Sequence, residues 1–339
     1  MSTKLFFTIS LFLLVSCGKN REKKQAPPKQ EPSVNIAVPA FNADSAYHFV
    51  EKQVGFGPRI PNTKAHEQAA AFFIKTLRQY GAQITIQEFQ QENFSGSILN
   101  LKNIIGSFNP EKSKRILLAS HWDTRPFSDK DPQKPNVPFQ GANDGASGVG
   151  VLLEIARVLH NNPLPEAGVD IILFDGEDWG EREGQQGTRP LPAGLQDWWC
   201  LGSQYWAKHK HKPNYSAYYG ILLDMVGAKN AQFHREGYSM EFAPSIVEKV
   251  WHHAQRLGYS HVFVNKTQAA ITDDHVFVNT IARIPMIDIV HFEPGIGYFG
   301  DFHHTQKDNL DIISKDMLGI VGTTVLNVVY YEDQQSLKP

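Results

Sequence analysis

From Phe41 onward, the chain alternates stretches of helical periodicity with short runs of apolar and β-branched residues. In the stretch 64–80, Ala69, Phe73 and Leu77 recur at the four-residue spacing of one helix face. Several of the β-like runs, such as 169–174, are largely apolar, which is typical of strands covered by helices on both sheet faces. The pattern predicts an α/β protein with a three-layer α/β/α arrangement around a mixed, mostly parallel central sheet.

The same periodicities predict the individual elements. Helices are predicted at 44–53, 64–80, 149–160, 202–210, 245–257, 274–279 and 312–331. Strands are predicted at 82–90, 99–108, 115–120, 169–174, 218–223 and 286–290. Long irregular stretches remain at 126–141, 178–199 and 291–307, and loops of this length in a compact domain are usually functional.

Residues 1–17 have the pattern of a bacterial lipoprotein signal peptide. A Lys in a short polar start precedes an apolar run at 5–15, and Leu14-Val15-Ser16-Cys17 resembles a lipobox. The run is shorter than the ~20 residues that span a bilayer. The charged, Pro-rich segment 18–40 predicts a flexible tether, and 41–339 predicts a single folded domain.

This N-terminus predicts an exported, periplasmic protein that is held to a bacterial membrane by a lipid on Cys17. Gly18, rather than Asp, follows the lipobox Cys, which favours the outer over the inner membrane. A plain, cleaved signal peptide is the alternative. Once Cys17 is lipidated or removed, Cys200 is the remaining cysteine, so no intramolecular disulfide is expected.

The charge balance argues against a nucleic-acid partner. The 339 residues carry 33 Lys and Arg against 35 Asp and Glu, a formal net charge of -2, and therefore lack the basic excess that phosphate binding needs. Nothing in the sequence indicates the oligomeric state, and a monomer is the default expectation.

Acidic and histidine side chains recur where predicted strands end and in the loops. The segments are His121-Trp122-Asp123, Asp144, Glu177-Asp178, Asp224 and His303-His304. Ligand sites of open α/β sheets gather beyond the carboxyl ends of strands. Because a catalytic zinc takes about three nitrogen or oxygen ligands and keeps an open position, the set predicts such a site.

The order of these segments resembles that of the co-catalytic zinc aminopeptidases, family M28. H-x-D is followed by N-D-G-x-S-G, by D-G-E and a second acid, by L-L-D, and by H-T-x-x-D-N. Within the family, FDGED, LLDMVGAKN, ITDDHVFV and FHHTQKDNLD are similar to segments of the glutaminyl-peptide cyclotransferases. The resemblance runs from about Val54 to the last predicted helix.

The resemblance implies a zinc exopeptidase-like fold and a catalytic domain at 41–339 that holds one Zn²⁺. The zinc ligands correspond to Asp144, Asp178 and His304. Glu177 corresponds to the catalytic proton carrier, with Asp224 and Asp273 as its partners. The implied reaction converts the N-terminal Gln of peptides or proteins to pyroglutamate and releases ammonia.

Residue chemistry fits these roles. Neighbouring side chains diverge at a strand end, so Asp178 can bind a metal while Glu177 faces the substrate. Carboxylates at Asp224 and Asp273 would favour the protonated form of Glu177, which suits a group that holds a proton in transit.

The resemblance to animal cyclases is incomplete. Asp178 stands where many relatives have Glu, His303 where they have Trp, and Thr272 where they have Gln. We expect Thr272 and His303, which occupy these pocket positions, to bind substrate. We also expect Trp199 and Phe299 to do so, because an apolar slot suits the small, neutral N-terminal residue of the substrate.

Two alternatives remain open. A two-zinc aminopeptidase is the first, because His121 and Asp224 could bind a second zinc that Asp144 bridges. A non-catalytic lipoprotein scaffold is the second, and the complete set of ligands and base argues against it.

Overall fold

One mixed sheet of six strands organises the computed structural model, which describes residues 37–182, 185, 187 and 189–335. The strands in chain order are β1 (Gln83–Glu92), β2 (Ile98–Phe108), β3 (Arg115–His121), β4 (Gly168–Phe174), β5 (Tyr219–Asp224), β6 (Phe233–Arg235), β7 (Phe263–Thr267) and β8 (Met286–Val290). The sheet order is β1-β2-β4-β3-β5-β8, while β6 and β7 pair separately. Strands β4, β3, β5 and β8 are mutually parallel, so their carboxyl ends share one edge.

Helices cover both faces of the sheet. They are α1 (Ala43–Val54), α2 (Lys64–Gln79), α3 (Ala146–Asn161), α4 (Leu201–Lys208), α5 (Gly237–Phe242), α6 (Pro244–Arg256), α7 (Asp274–Phe277) and α8 (Lys315–Gln335). A π-helical turn follows α7, and a short 3₁₀ turn at Leu310–Ile312 precedes α8.

Alternating strand residues divide the core into two main layers. Leu118 and Ile221 pack in the larger cluster with side chains from α1, α2, α3 and α8. Their neighbours Leu117 and Leu222 face the opposite side and pack against α4 and the turn after α7. This alternation follows from the two-residue repeat of a strand. The three-layer α/β/α architecture with a mixed sheet is therefore confirmed.

Several element boundaries differ from the predictions. Helix α3 begins at Ala146, three residues before the predicted start, because Gly145 turns the chain with a φ of 81°. The helix predicted at 312–331 begins only at Lys315, because Ile313 forms a β-bridge with Ala228. The short elements β6, β7 and α5 were not predicted.

The predicted signal peptide and most of the predicted tether lie outside the described residues, which begin at residue 37. None of the described helices is both long and apolar enough to cross a membrane. The described residues belong to one compact unit.

Candidate metal and catalytic site

A cavity of about 440 Å³ opens at the shared carboxyl edge of the parallel strands. His121 and Asp224 are the last residues of β3 and β5. Glu177 lies three residues beyond β4, and Asp144 lies two residues before α3. His304 reaches the same place from the loop after β8. The topology thus brings His121 and His304, which are 183 positions apart in the sequence, to the same cavity.

The imidazole of His304 lies against both Asp144 and Asp178 beside the cavity. Nε2 of His304 lies 3.1 Å from Oδ1 of Asp178 and 3.6 Å from Oδ2 of Asp144. Both carboxylate oxygens are buried, and neither accepts a hydrogen bond from the described residues. Two carboxylates and one imidazole form a donor set that zinc favours. The residues present therefore fit the metal that the resemblance implies.

Electrostatics at this point also suit a cation. Burial and the charge of Asp144 raise the pKa of Asp178 well above its ordinary value. Burial and the nearby Arg125 hold the pKa of His304 well below 6.5, so its imidazole is neutral, as a metal ligand must be. A bound dication would relieve the repulsion between the two carboxylates.

Neighbouring groups orient these three side chains. Oδ2 of Asp178 accepts a hydrogen bond from the backbone N–H of Arg125 at 3.0 Å. Nδ1 of His304 lies 3.6 Å from Asp129, which leaves Nε2 facing the carboxylates. Asp308 accepts from the backbone N–H of Asp144 and fixes the loop before α3. Such supporting contacts orient metal ligands in zinc proteins.

A second group of potential ligands shares Asp144. Nε2 of His121 lies 3.1 Å from Oδ1 of Asp144 and 3.2 Å from Oδ1 of Asp224. Asp144 thus turns one oxygen toward His304 and the other toward His121. Gly145 permits this approach, because a Cβ there would lie 2.9 Å from Cε1 of His121. This geometry leaves the two-metal alternative open.

Cys200 contacts both the backbone and the side chain of Glu177. The backbone N–H of Cys200 donates to the carbonyl of Glu177 at 2.9 Å, and Sγ contacts Oε1 at 3.2 Å. Burial raises the pKa of Glu177 well above 4.5, and the charges of Asp273 and Asp178 raise it further. Glu177 is therefore suited to carry a proton.

A group of buried acids backs Glu177. Ligand atoms of Glu177, Cys200 and Asp273 lie within 4.8 Å of one another. Burial raises the pKa of Asp224 to about 7. Asp288, on β8, was not predicted to take part, yet it is fully buried. Burial raises its pKa well above the ordinary value, and the charge of Asp273 raises it further. Its position inside a predicted apolar strand, MIDIV, was the available signal.

The four predicted substrate-binding residues, Thr272, Trp199, Phe299 and His303, all line the cavity. The Trp199 ring is parallel to that of His304 at 5.9 Å and also faces the guanidinium of Arg125. Phe299 meets the His303 ring edge-on at 4.6 Å. Placement in the cavity agrees with a binding role, which itself stays a prediction.

Comparison with known proteins assigns the family. The profile of peptidase family M28 matches residues 103–329, more than half of the chain. The chain belongs to peptidase family M28. This M28 chain is 49% identical to a Zn-dependent exopeptidase from Parabacteroides distasonis, with a TM-score of 0.83 over 87% of this chain and 99% of that one. A glutaminyl cyclase from Bacteroides thetaiotaomicron, bound to N-acetylhistamine, is 48% identical, with the same TM-score and coverage.

Curated relatives of this M28 chain are more distant. The glutaminyl-peptide cyclotransferase of Drosophila melanogaster is 26% identical over 185 residues, which cover 52% of this chain and 47% of that protein. The matched region thus spans less than half the length of the curated relatives.

The cavity of this M28 chain also contains residues that were not predicted. Arg125, Asp129 and Lys130 reach it from the loop after β3, and Tyr298 from the loop after β8. In the sequence, only the length of the irregular stretch 126–141 marked this first loop as a candidate functional segment. Trp179, which follows Asp178 directly, packs in a small core cluster with Leu201.

Proposed function

We propose that this protein is a glutaminyl-peptide cyclotransferase, which converts the N-terminal Gln of peptides or proteins to pyroglutamate and releases ammonia. The observation that carries this proposal is Glu177, a half-buried carboxyl with a raised pKa that is next to Asp178 in the chain and has an oxygen within 4.8 Å of a carboxylate oxygen of Asp273. A group so placed can move a proton between two nitrogens of one substrate. The likeness to a glutaminyl cyclase over 99% of that chain supports the same reaction.

Asp144, Asp178 and His304 would hold one zinc ion. When bound, zinc supplies Lewis acidity to the side-chain amide carbonyl of the substrate. The α-amine of the substrate forms the new C–N bond, and the bond to the amide nitrogen breaks. Glu177 accepts the proton of the amine and delivers it to the departing ammonia. Atoms balance without a water nucleophile, so the chain contributes orientation and proton transfer.

Trp199 and Phe299 would enclose the aliphatic part of the Gln side chain. Aromatic walls exclude water and restrict the conformations of a short, flexible substrate. The parallel placement of Trp199 against His304 would bring this apolar wall next to the metal. Holding the amine near the side-chain carbonyl is itself a large part of catalysis in ring closure.

The second candidate function is that of a two-zinc aminopeptidase, which the contacts of His121 favour. His121 contacts the same carboxylate that faces His304, and ligand atoms of His121, Asp144 and Asp224 lie within 4.8 Å of one another. His121, Asp144 and Asp224 would hold the second zinc, which would supply an activated water for hydrolysis of the first peptide bond. The likeness to a Zn-dependent exopeptidase leaves this candidate in place.

One experiment separates the two. Purified protein is incubated with a Gln-initiated peptide and with the corresponding Leu-initiated peptide, and the products are identified by mass spectrometry. We expect loss of ammonia from the first peptide alone and one zinc per chain by elemental analysis. Release of the first residue, together with two zincs per chain, would establish the aminopeptidase instead.

We further propose that the protein is exported and anchored in the periplasm through a lipid on Cys17, as a monomer. Support comes from the signal-like segment and its lipobox, which precede the described residues. Labelling of cells with a radioactive fatty acid should mark the wild-type protein, whereas Cys17→Ala should remain unlabelled. Labelling that is equal in both would refute the anchor.

A further inference from the structure

Lys130 and His303 form a contact in the cavity wall that the proposed reaction does not explain. Nζ of Lys130 lies 2.8 Å from Nδ1 of His303. The same Nζ lies 5.2 Å from the centre of the Tyr298 ring, and the backbone N–H of Lys130 donates to the carbonyl of His304. Lys130 is thus fixed at both its backbone and its ammonium group.

The contact determines which nitrogen of His303 carries a proton. A lysine ammonium has three donors and no acceptor. Nδ1 of His303 must therefore accept the hydrogen bond, so the ring proton of a neutral imidazole resides on Nε2. The Tyr298 ring favours the charged ammonium through a cation–π interaction. His303 consequently presents an N–H donor on its other side.

That donor is available to a ligand. His303 lines the cavity, and none of the described residues hydrogen-bonds to its Nε2. Most other polar groups of the wall are carboxylates, which accept hydrogen bonds. The guanidinium of Arg125 is already bonded to Asp129 and to the carbonyls of Gly180 and Glu181.

A peptide with N-terminal Gln carries three polar groups into such a cavity. In the proposed function, on which this inference rests, the side-chain carbonyl faces the metal ligands and the α-amine faces Glu177. The main-chain carbonyl of the first residue is the acceptor left over. A buried carbonyl without a donor costs binding energy, so the cavity should supply one.

We propose that Lys130 and His303 form a subsite in which Nε2–H of His303 donates to the main-chain carbonyl oxygen of the first substrate residue. Lys130 is a positioning residue that selects the tautomer, and His303 is the donor. The subsite recognises a group that every peptide has, and therefore favours peptides over simple amino amides whatever their second residue.

Two substrates isolate this hydrogen bond. Glutaminamide contains the main-chain carbonyl, whereas 4-aminobutanamide lacks it but can cyclise by the same chemistry. We expect His303→Phe to lower kcat/KM about tenfold more for glutaminamide than for 4-aminobutanamide, the size of one hydrogen bond between neutral groups. His303→Gln, whose amide can place a donor near Nε2, should restore part of the preference. Lys130→Met should also lower the preference for glutaminamide over 4-aminobutanamide, because Lys130 selects the tautomer of His303.

Lys249→Met is the matched control. Its Nζ also lies over a tyrosine ring, that of Tyr219, but outside the cavity, so both substrates should be unaffected. As a readout independent of turnover, nitrogen NMR of histidine-labelled protein should give an Nε2–H signal that is absent in His303→Phe. A signal from the Nδ1–H tautomer would overturn the inference.

Other outcomes distinguish a failure of the subsite from a failure of the proposed function. An equal loss for both substrates, or loss of zinc in His303→Phe, would mean that His303 serves the metal and not the carbonyl, and the inference would fall alone. No ammonia release by the wild-type protein from either substrate would overturn the proposed function and the inference with it.

Discussion

Glu177→Gln should retain stoichiometric zinc and lose roughly 10²–10⁴-fold in kcat, the usual contribution of general acid–base catalysis. The amide has the same shape as the carboxyl and can still contact Sγ of Cys200, so the fold and the predicted ligands should be unaffected. It cannot accept the proton of the substrate amine. Ammonia release with saturating Gln peptide, together with zinc analysis, measures both effects.

Glu181→Gln is the matched control for this substitution. Glu181 lines the same cavity and accepts a hydrogen bond from the backbone N–H of Gly187, which an amide oxygen can also accept. Its kcat should therefore change little. If Glu177→Gln kept wild-type turnover, another group would have to carry the proton, and Asp273 would be the next residue to replace.

The sequence predicted the sheet well because its inner strands bury both faces. The run 169–174 is apolar at most positions, and it became β4 within one residue of the predicted bounds. Prediction failed where a tertiary contact overrides local preference. Ile313 belongs to a helical pattern, yet it leaves the helix to bridge with Ala228. Short strands such as β6 carry too few residues to establish a periodicity.

Site residues could be predicted where an acidic or histidine residue stands near the end of a predicted strand. Asp224 directly follows an apolar run, and Glu177 follows one after Asp175 and Gly176. The resemblance to a known family gave both residues roles. No such signal marked Lys130, which lies in an irregular loop and reaches the cavity only through tertiary packing. Asp288 carried a different signal, a lone acid inside an apolar strand, which marks a buried carboxyl but does not give its role.

Asp144→Asn should abolish stable zinc binding without unfolding the protein. Replacing a group that only hydrogen-bonds to a ligand typically weakens metal affinity 10–100-fold, so loss of a ligand charge should exceed about 100-fold. Isothermal titration of the chelator-treated protein with zinc measures the affinity. Asp129→Asn is the control, because it alters a contact to His304 but replaces no predicted ligand. It should weaken zinc affinity only about 10–100-fold.

The sign of the stability change distinguishes lost ligation from misfolding. Without metal, burial and the charge of Asp144 raise the pKa of Asp178, and they raise that of Asp308 to about 7. Asp144→Asn removes this repulsion but also weakens the contact of Asp144 with His121, so the zinc-free variant should unfold at a temperature close to that of zinc-free wild type. Zinc at 100 times its Kd should stabilise only the wild type, by about 2.7 kcal/mol. A variant that is destabilised without zinc, or that zinc still stabilises equally, would show that Asp144 serves the fold rather than the metal.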